Sequence, residues 1–160
     1  MNPLPLHAPL NIVLVAPRIP GNTGNIARTC AVTGSRLHLV NPLFRLEDRD
    51  LKRAGLDYWD KVHGSTCATF DDLLKTQLIT SGQLHLFTAR APRTMYDVCY
   101  TPGDYLIFGQ EDLGLDESLL ARFPERQVAV PMVDGVRSLN LSTCAGIALY
   151  EALRQLAFSR

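Results

Sequence analysis

YLIFGQEDLG, the sequence of residues 105–114, joins a strand pattern directly to a loop pattern. The opening YLIF is an unbroken apolar run, which suits a β-strand covered on both faces, as in a parallel sheet between helices. The run ends abruptly in glycine, amide and acid. Because ligands bind beyond the carboxyl ends of such strands, the residues after Phe108 are candidates for a binding loop. Residues 128–141, VAVPMVDGVRSLNL, repeat the pattern.

Both loops carry residues suited to binding. Gly109 would let backbone approach a ligand without a Cβ in the way. Donors and acceptors would come from the side chains of Gln110, Glu111, Ser138 and Asn140. The same residue types occur in ordinary strand-to-helix turns, and Asn140 could equally be a helix cap. The loops by themselves therefore leave two interpretations open, a binding site or a pair of turns.

The remaining pattern alternates strands with helices. Strands are predicted at residues 12–16, 37–40, 84–88, 105–108 and 128–131, and helices at residues 23–33, 71–78, 116–122 and 142–158, with a shorter helix at 48–54. Asn22 precedes the first of these helices, and Gly34 sits where a C-terminal glycine cap belongs. The alternation predicts an α/β fold with a mostly parallel sheet flanked by helices. A chain of 160 residues fits one domain, residues 1–160, with residues 1–10 as a flexible N-terminal extension.

Composition restricts the classes of function. Lys plus Arg total 16 and Asp plus Glu total 16, so the net charge is 0 and any nucleic-acid site must be a local patch. Residues 42–65 mix both signs of charge, which indicates either a solvated face or a phosphate-contacting edge. No apolar run reaches the ~18 residues of a membrane helix, so no membrane partner is expected. Scattered cysteines without metal-ligand spacing predict no metal and a cytoplasmic protein with reduced thiols.

Residues 17–28, PRIPGNTGNIAR, form the loop after the first predicted strand. The glycines Gly21 and Gly24 do not make the G-x-G-x-x-G fingerprint, and the P-loop pattern is absent, so neither type of nucleotide-binding enzyme is indicated. An Asn-rich turn that feeds a helix could receive an anion at the helix N-terminus, with Arg28 about one turn into that helix. The alternative is a capped helix with a solvated arginine.

The last predicted helix, residues 142–158, is apolar on more than one side. One stripe contains Ala145, Leu149, Ala152, Leu153 and Leu156, and further apolar surface comes from Ile147, Ala148 and Tyr150. Such a helix is either sunk in its own domain or shared with a second subunit. In a domain of this size the width of the apolar surface favours a homodimer.

Three separated segments resemble the motifs of a known family. NTGNIAR at residues 22–28, FGQEDLGL at 108–115 and VPMVDGVRSLNLSTCAGIALYEALRQ at 130–155 resemble the three motifs of the SPOUT RNA methyltransferases, in the same order and at similar spacing. AGLDYW at residues 54–59 resembles a segment of the small single-domain branch that 2′-O-methylates the wobble nucleotide of tRNA. The resemblance covers nearly the whole chain.

This resemblance implies an α/β fold with a deep C-terminal trefoil knot, active as a homodimer. It implies S-adenosylmethionine as the methyl donor, S-adenosylhomocysteine as the product, and no metal. Carried over by motif, the cofactor pocket would be lined by Ala89, Gly109, Val130, Met132, Ser138 and Leu139. The expected substrate is the anticodon loop of a tRNA, whose unstacked bases can be read directly.

The resemblance also assigns a catalytic site, composed of Arg28, Asn22, Glu111, Ser138 and Asn140. Arg28 is expected nearest the ribose. A guanidinium with a pKa above ~12 is a poor proton acceptor, so Arg28 is expected to position phosphate and polarise the hydroxyl. Asn22 would orient the loop before the first helix, and Glu111 would hold either that loop or the cofactor loop by hydrogen bonds. The residues expected to contact RNA are Arg18, Arg137, Arg154 and Tyr150.

One departure concerns the choice of nucleotide. Asp112 and Leu113 follow Glu111, where the wobble-specific branch is expected to carry a more basic pair. A methyltransferase of the same fold that acts on another tRNA position or on rRNA is therefore the alternative. A non-catalytic RNA-binding or assembly module is the alternative from another class. The presence of the expected catalytic side chains opposes it, because a module that only binds RNA has no need of a methyl-donor pocket.

Overall fold

Six parallel strands form the centre of the fold in the computed structural model, which describes residues 9–45, 62, 64–136 and 138–158. The strands are β1 (Asn11–Val15), β2 (Arg36–Val40), β3 (Gly64–Cys67), β4 (Leu84–Phe87), β5 (Tyr105–Phe108) and β6 (Gln127–Val128). Their order across the sheet is β3-β2-β1-β5-β4-β6, and each neighbouring pair is parallel. The predicted parallel α/β fold is confirmed.

Helices cover both faces of the sheet. They are α1 (Pro20–Thr33), α2 (Phe70–Thr76), α3 (Glu117–Arg122) and α4 (Leu141–Phe158). Helix α1 starts at Pro20 rather than at residue 23, because proline is well suited to the first turn, where its missing N–H has no partner to lose. Gly34 ends α1 in the left-handed conformation with φ 69°, as its position after the helix predicted.

Alternate residues of each strand face opposite layers. On one side, Ile12 and Leu14 of β1 pack in a cluster with residues of α1 and α4. On the other side, Val13 belongs to a second cluster with Phe70 and Leu73 of α2. These side chains are buried, so the YLIF-type apolar runs are explained by strands that contact helices on both faces.

The strand β3 was not predicted, because residues 42–65 read as irregular and GSTC carries little apolar signal. It is an edge strand, and its residues are alternately exposed and half-buried. At Gly64 a Cβ would lie 1.7 Å from the backbone oxygen of Leu37 in β2, so the close approach of the two strands requires glycine. The predicted helix at 48–54 and the segment at 54–59 lie outside the described residues.

Loops that leave the carboxyl ends of β1, β4, β5 and β6 lie at one edge of the sheet. The chain runs from β1 through α1 to β2, and from β5 through α3 to β6, on opposite sides of the central pair β1 and β5. Such a reversal of strand order opens a crevice beyond the strand ends. No helix among the described residues is long and apolar enough to cross a membrane.

Candidate active site

The loop after β5 closes on itself through its backbone. The N–H of Gln110 donates to the oxygen of Gly114 over 3.0 Å, and the N–H of Gly114 donates to the oxygen of Gln110 over 3.0 Å. A Cβ at Gly109 would lie 2.0 Å from the backbone carbon of Gly114. Glycine at position 109 is therefore required by the closure of the loop itself. The expectation that glycine also lets backbone approach a ligand stays a prediction, and Gly109 lines the cavity described below.

The carboxylate of Glu111 holds the start of α1. Its Oε2 accepts the backbone N–H of Arg18 over 2.9 Å, and its Oε1 accepts that of Ile19 over 3.1 Å. The Nδ2 of Asn22 also donates to Oε1, over 3.3 Å. A carboxylate at a helix N-terminus satisfies N–H groups that have no partner inside the helix and complements the helix dipole. Glu111 thereby fixes the loop before α1, the role predicted for it.

Asn22 connects this carboxylate to the last helix. Its Oδ1 accepts a hydrogen bond from Nδ2 of Asn140 over 2.9 Å. The Oδ1 of Asn140 in turn accepts the backbone N–H of Ser142 at 2.9 Å and that of Thr143 at 3.3 Å. Asn140 is therefore a helix cap and also a member of a polar network. This network, Glu111–Asn22–Asn140, joins one residue from each of the three sequence motifs.

A cavity of about 620 Å³ lies beyond the ends of β4, β5 and β6. All residues predicted to bind the cofactor line it, namely Ala89, Gly109, Val130, Met132, Ser138 and Leu139. Apolar walls come from Phe87 and Phe108, whose rings stack with centroids 4.7 Å apart. These aromatic walls were missing from the predicted site. Their positions in the sequence could have indicated them, because Phe87 and Phe108 are the last residues of the buried strands β4 and β5.

The predicted catalytic residues divide into two groups. Glu111 and Ser138 line the cavity, and Asn22 and Asn140 are joined to Glu111 by hydrogen bonds. Arg28 is exposed and lies about two turns into α1, one turn further from the helix start than expected, because the helix begins earlier. The described lining of the cavity does not include Arg28.

Two of the predicted RNA-binding arginines, Arg18 and Arg154, have acidic partners. The guanidinium of Arg18 lies 3.1 Å from Asp112, and that of Arg154 makes two 2.8 Å hydrogen bonds to Glu151. Sequence reasoning had noted Asp112 only as a departure from the motif, because a contact across 94 positions leaves no local signal. Tyr150 is 52% exposed, as a residue that stacks on RNA would need to be. Arg137 lies outside the described residues.

Buried thiols and imidazoles are poor reactive groups here. Burial raises the pKa of Cys30 to about 12 and that of Cys144 to about 11, so neither forms a thiolate near neutral pH. His38 bonds to Ser65 and Asn11, and His85 bonds to Asp104 over 2.8 Å, so both act as structural residues of the sheet. Within the described ranges, no three His, Cys, Asp or Glu side chains are grouped to hold a metal ion.

Comparison with known proteins agrees with this geometry. A family model described as SpoU rRNA Methylase matches residues 9–150, most of the chain. The chain belongs to the SpoU rRNA Methylase family. It is 43% identical over 150 residues to a Burkholderia ambifaria protein named tRNA (cytidine(34)-2′-O)-methyltransferase, covering 92% of this chain and 96% of that one. The predicted family resemblance is confirmed.

Solved structures support the same assignment. A structure described as "Structural insights into the 2-OH methylation of C/U34 on tRNA" superposes with a TM-score of 0.86 at 44% identity, covering 93% of this chain and 97% of that one. An AdoMet-bound rRNA methyltransferase from Sinorhizobium meliloti gives a TM-score of 0.82 at 25% identity, covering 97% of this chain and 61% of that one. Both solved structures therefore share the fold of this chain.

Proposed function

We propose that this protein transfers a methyl group from S-adenosylmethionine to the ribose 2′-OH of the wobble nucleotide, cytidine or uridine 34, in a tRNA anticodon loop. The observation that carries the proposal is the cavity at the strand ends, which is lined by Glu111, a member of the Glu111–Asn22–Asn140 network. Relatives that carry this name align with the chain over more than nine-tenths of its length, which supports the choice of reaction and of nucleotide.

The residues around the cavity fit S-adenosylmethionine. A volume of about 620 Å³ suits a small-molecule ligand, for which ~300–1,000 Å³ is usual. Phe87 and Phe108 offer an apolar slot for an adenine, and the exposed backbone after β4, β5 and β6 offers hydrogen-bonding groups. The carboxylates of Asp112 and Glu117 at the cavity complement a cationic ligand. When bound, S-adenosylmethionine supplies an electrophilic methyl group on a sulfonium.

The ligand-holding residues are assigned by their position in the cavity. Backbone and side chains of Gly109, Val130 and Leu139 contact the cofactor in our proposal, and Ala89, Met132 and Ser138 complete the wall. The same residues hold the product, S-adenosylhomocysteine, until release. The predicted trefoil knot in the C-terminal segment is part of this proposal and is supported by the family resemblance.

The catalytic side chains act on the RNA. Arg28 positions a phosphate and polarises the 2′-OH. Asn22 and Glu111 fix the start of the helix that carries Arg28, so the guanidinium is oriented before RNA binds. Ser138 and Asn140 close the site on the side of α4. Cys30 and Cys144 take no part, because attack by a ribose oxygen needs no enzyme nucleophile.

A homodimer is part of the proposal. On α4, Ala145, Ala148 and Leu149 are buried within the domain, whereas Ile147 and Tyr150 are exposed. Val32 is exposed on α1, the helix that contacts α4. A second subunit that covers these apolar side chains would bring two sets of basic residues together, among them Arg18, Arg137 and Arg154. A cytoplasmic location is part of the proposal, supported by tRNA as the substrate and by the free cysteines.

The direct test is transfer of labelled methyl from S-adenosylmethionine to bulk tRNA, followed by nuclease mapping of the labelled nucleotide. Label on the 2′-oxygen of nucleotide 34 is the expected result. Label at another tRNA position or on rRNA would keep the reaction and replace the target. Absence of transfer to any RNA, with S-adenosylmethionine binding measured by calorimetry, would contradict the activity and favour a binding module.

Oligomeric state is tested separately by light scattering coupled to size exclusion. Ile147→Lys places a charge on the exposed apolar side of α4 and is expected to give monomers, since a buried unpaired charge is costly. Lys75→Glu, a change of charge on α2 on the other face of the sheet, is the control and should leave the dimer intact. A wild-type protein that elutes as a monomer would contradict the dimer.

A further inference from the structure

Asp112 and Arg18 form an ion pair across the rim of the candidate active site. The guanidinium NH1 of Arg18 lies 3.1 Å from Oδ2 of Asp112, and the two side chains are 52% and 58% exposed. Asp112 belongs to the loop after β5 and lines the cavity. Arg18 belongs to the loop between β1 and α1. The pair therefore lies between the cofactor cavity and the helix that carries Arg28.

The ion pair adds little to the geometry of these loops. Glu111 already holds the backbone N–H groups of Arg18 and Ile19, and the loop after β5 is closed by the mutual hydrogen bonds of Gln110 and Gly114. These contacts remain when Asp112 is changed. An exposed ion pair is also weak, because water and salt screen it. The carboxylate of Asp112 is therefore dispensable for placing the loops.

Its effect on a polyanion is larger. Arg18 is an exposed cation at the rim, which is where a phosphate of a bound RNA would be neutralised. The carboxylate of Asp112 is paired with the Arg18 guanidinium. A phosphate that binds Arg18 must therefore displace this carboxylate, and the negative charge of Asp112 also repels the phosphate. The weakness of the pair makes such an exchange feasible.

We propose that Asp112 is an affinity-determining residue that competes with an RNA phosphate for the Arg18 guanidinium. The inference rests on the proposed function, since it takes RNA as the substrate. Asp112 stands where the motif is expected to carry a basic residue. In this inference its role is to weaken RNA binding at one phosphate. Product RNA is then released more readily than from a rim with an unpaired arginine.

A second ion pair provides a matched control. Arg122 lies 2.7 Å from Asp71, and the side chains are 47% and 56% exposed, so the pair resembles Arg18–Asp112 in chemistry and exposure. It joins the end of α3 to the first turn of α2, and neither Arg122 nor Asp71 is among the described residues that line the cavity. Asp71→Asn removes the same negative charge from the protein as Asp112→Asn does, without changing the rim.

The experiment measures binding of a fluorescein-labelled anticodon stem-loop RNA with cytidine at position 34, by anisotropy, over a series of KCl concentrations with saturating S-adenosylhomocysteine. Wild type, Asp112→Asn, Arg18→Ala, the double variant and Asp71→Asn are compared. Calorimetry with S-adenosylhomocysteine sets the saturating concentration for each variant. Methyl transfer to the same RNA is measured in parallel, so that the proposed activity is tested independently.

We expect Asp112→Asn to lower the Kd about 3-fold at low salt and to steepen the slope of log K against log[KCl] by about 0.7–0.9, as one added phosphate contact would. Arg18→Ala should weaken binding, and Asp112→Asn should improve binding less in the Arg18→Ala background than in wild type, because only the repulsion and not the competition for Arg18 is then removed. Asp71→Asn should match wild type, which separates a local effect from the change in net charge.

Two results would overturn the inference. In both cases, methyl transfer by the wild-type protein would leave the proposed function intact. One is an Asp112→Asn variant that binds RNA with the Kd and salt slope of wild type. The other is an Asp112→Asn variant that binds more weakly, in parallel with Arg18→Ala, which would make the ion pair a structural contact. Absence of both RNA binding and methyl transfer in every protein would overturn the proposed function and this inference together.

Discussion

Asn140 donates a 2.9 Å hydrogen bond to Asn22 although 118 positions separate the two residues. The same side chain caps α4 through its Oδ1, while Asn22 donates to Glu111. The position of α4 relative to α1 is thus fixed by side chains whose other groups hold the loops at the cavity. Disturbing this contact should alter activity more than it alters stability.

Asn140→Ser separates the two roles of Asn140. Serine caps a helix about as well as asparagine, so the free energy of unfolding should fall only by the value of the lost hydrogen bond to Asn22, about 0.5–1.5 kcal/mol. Serine lacks the Nδ2 donor to Asn22, and loss of one hydrogen bond should reduce kcat about 3- to 10-fold. Methyl-transfer kinetics and urea unfolding are the measurements. Asn140→Ala, which also loses the cap, should cost about 1 kcal/mol more in stability than the serine variant, and equal kcat for the serine variant and wild type would contradict the linking role.

Glu111→Gln should loosen the start of α1. The carboxylate accepts three N–H groups on its two oxygens, and in glutamine one of these oxygens becomes an NH₂ group that faces a donor. We expect a loss of about 1–2 kcal/mol in stability and a fall in kcat. Thermal unfolding and methyl transfer are compared with Asp116→Asn, whose side chain makes no cap hydrogen bond at α3. A Glu111→Gln variant as stable and active as wild type would show that these contacts do not matter.

Gly109→Ala should abolish cofactor binding by opening the loop after β5. The new Cβ would lie 2.0 Å from the backbone of Gly114, a distance that only movement of the loop can relieve. Gly109→Val should have a still larger effect. Calorimetry with S-adenosylhomocysteine is the measurement, and Gly82→Ala is the control, because its Cβ would meet only the Thr80 side chain at 3.9 Å. Normal cofactor affinity in Gly109→Ala would refute the geometric requirement.

Arg28→Ala should bind S-adenosylhomocysteine normally and lose methyl transfer. Arg28 is exposed on α1 and is not among the described residues that line the cavity, so its removal should leave the cofactor site unchanged. Arg28→Lys keeps the charge but loses the planar fork of donors, and it should recover only part of the activity. Calorimetry and single-turnover transfer are the measurements. Normal turnover by Arg28→Ala would show that the catalytic assignment is wrong.

His38 should make the protein less stable in acid. Burial, with the charge of Arg36 as a second cause, lowers the pKa of His38 from 6.5 to about 4. The unfolded chain therefore binds the proton first as pH falls below 6.5, and stability is lost progressively down to about pH 4. Between pH 7 and pH 5 the loss from this group is about 2 kcal/mol. Urea unfolding at both pH values should show a pH dependence smaller by that amount in His38→Gln, and an unchanged dependence would contradict the assignment.

The strands and helices that could be predicted are those whose signal is local. The run YLIF and the glycine at position 34 correctly indicated β5 and the end of α1, because burial on both faces and a left-handed cap depend on residues close in sequence. Strand β3 escaped prediction because GSTC is held by its pairing with β2 and not by its own apolar content. Helix α1 begins at Pro20, and proline is itself a local signal for a helix start. The prediction missed it because it placed Asn22 directly before the helix.

The candidate site was predicted as a set of residues but not as a set of contacts. Motif resemblance named Glu111, Asn22 and Asn140, and the structure joins them in one network. The pairing of Arg18 with Asp112 and of Arg154 with Glu151 was not foreseen, so two arginines expected to face RNA carry acidic partners. The sequence alone determined five of the six described strands, the parallel sheet and the family, since these depend on periodicity and on short motifs at similar spacing. Only the tertiary structure decided which oxygen receives which N–H, because those contacts are made between loops about 90 or more positions apart and depend on distances of a few ångströms.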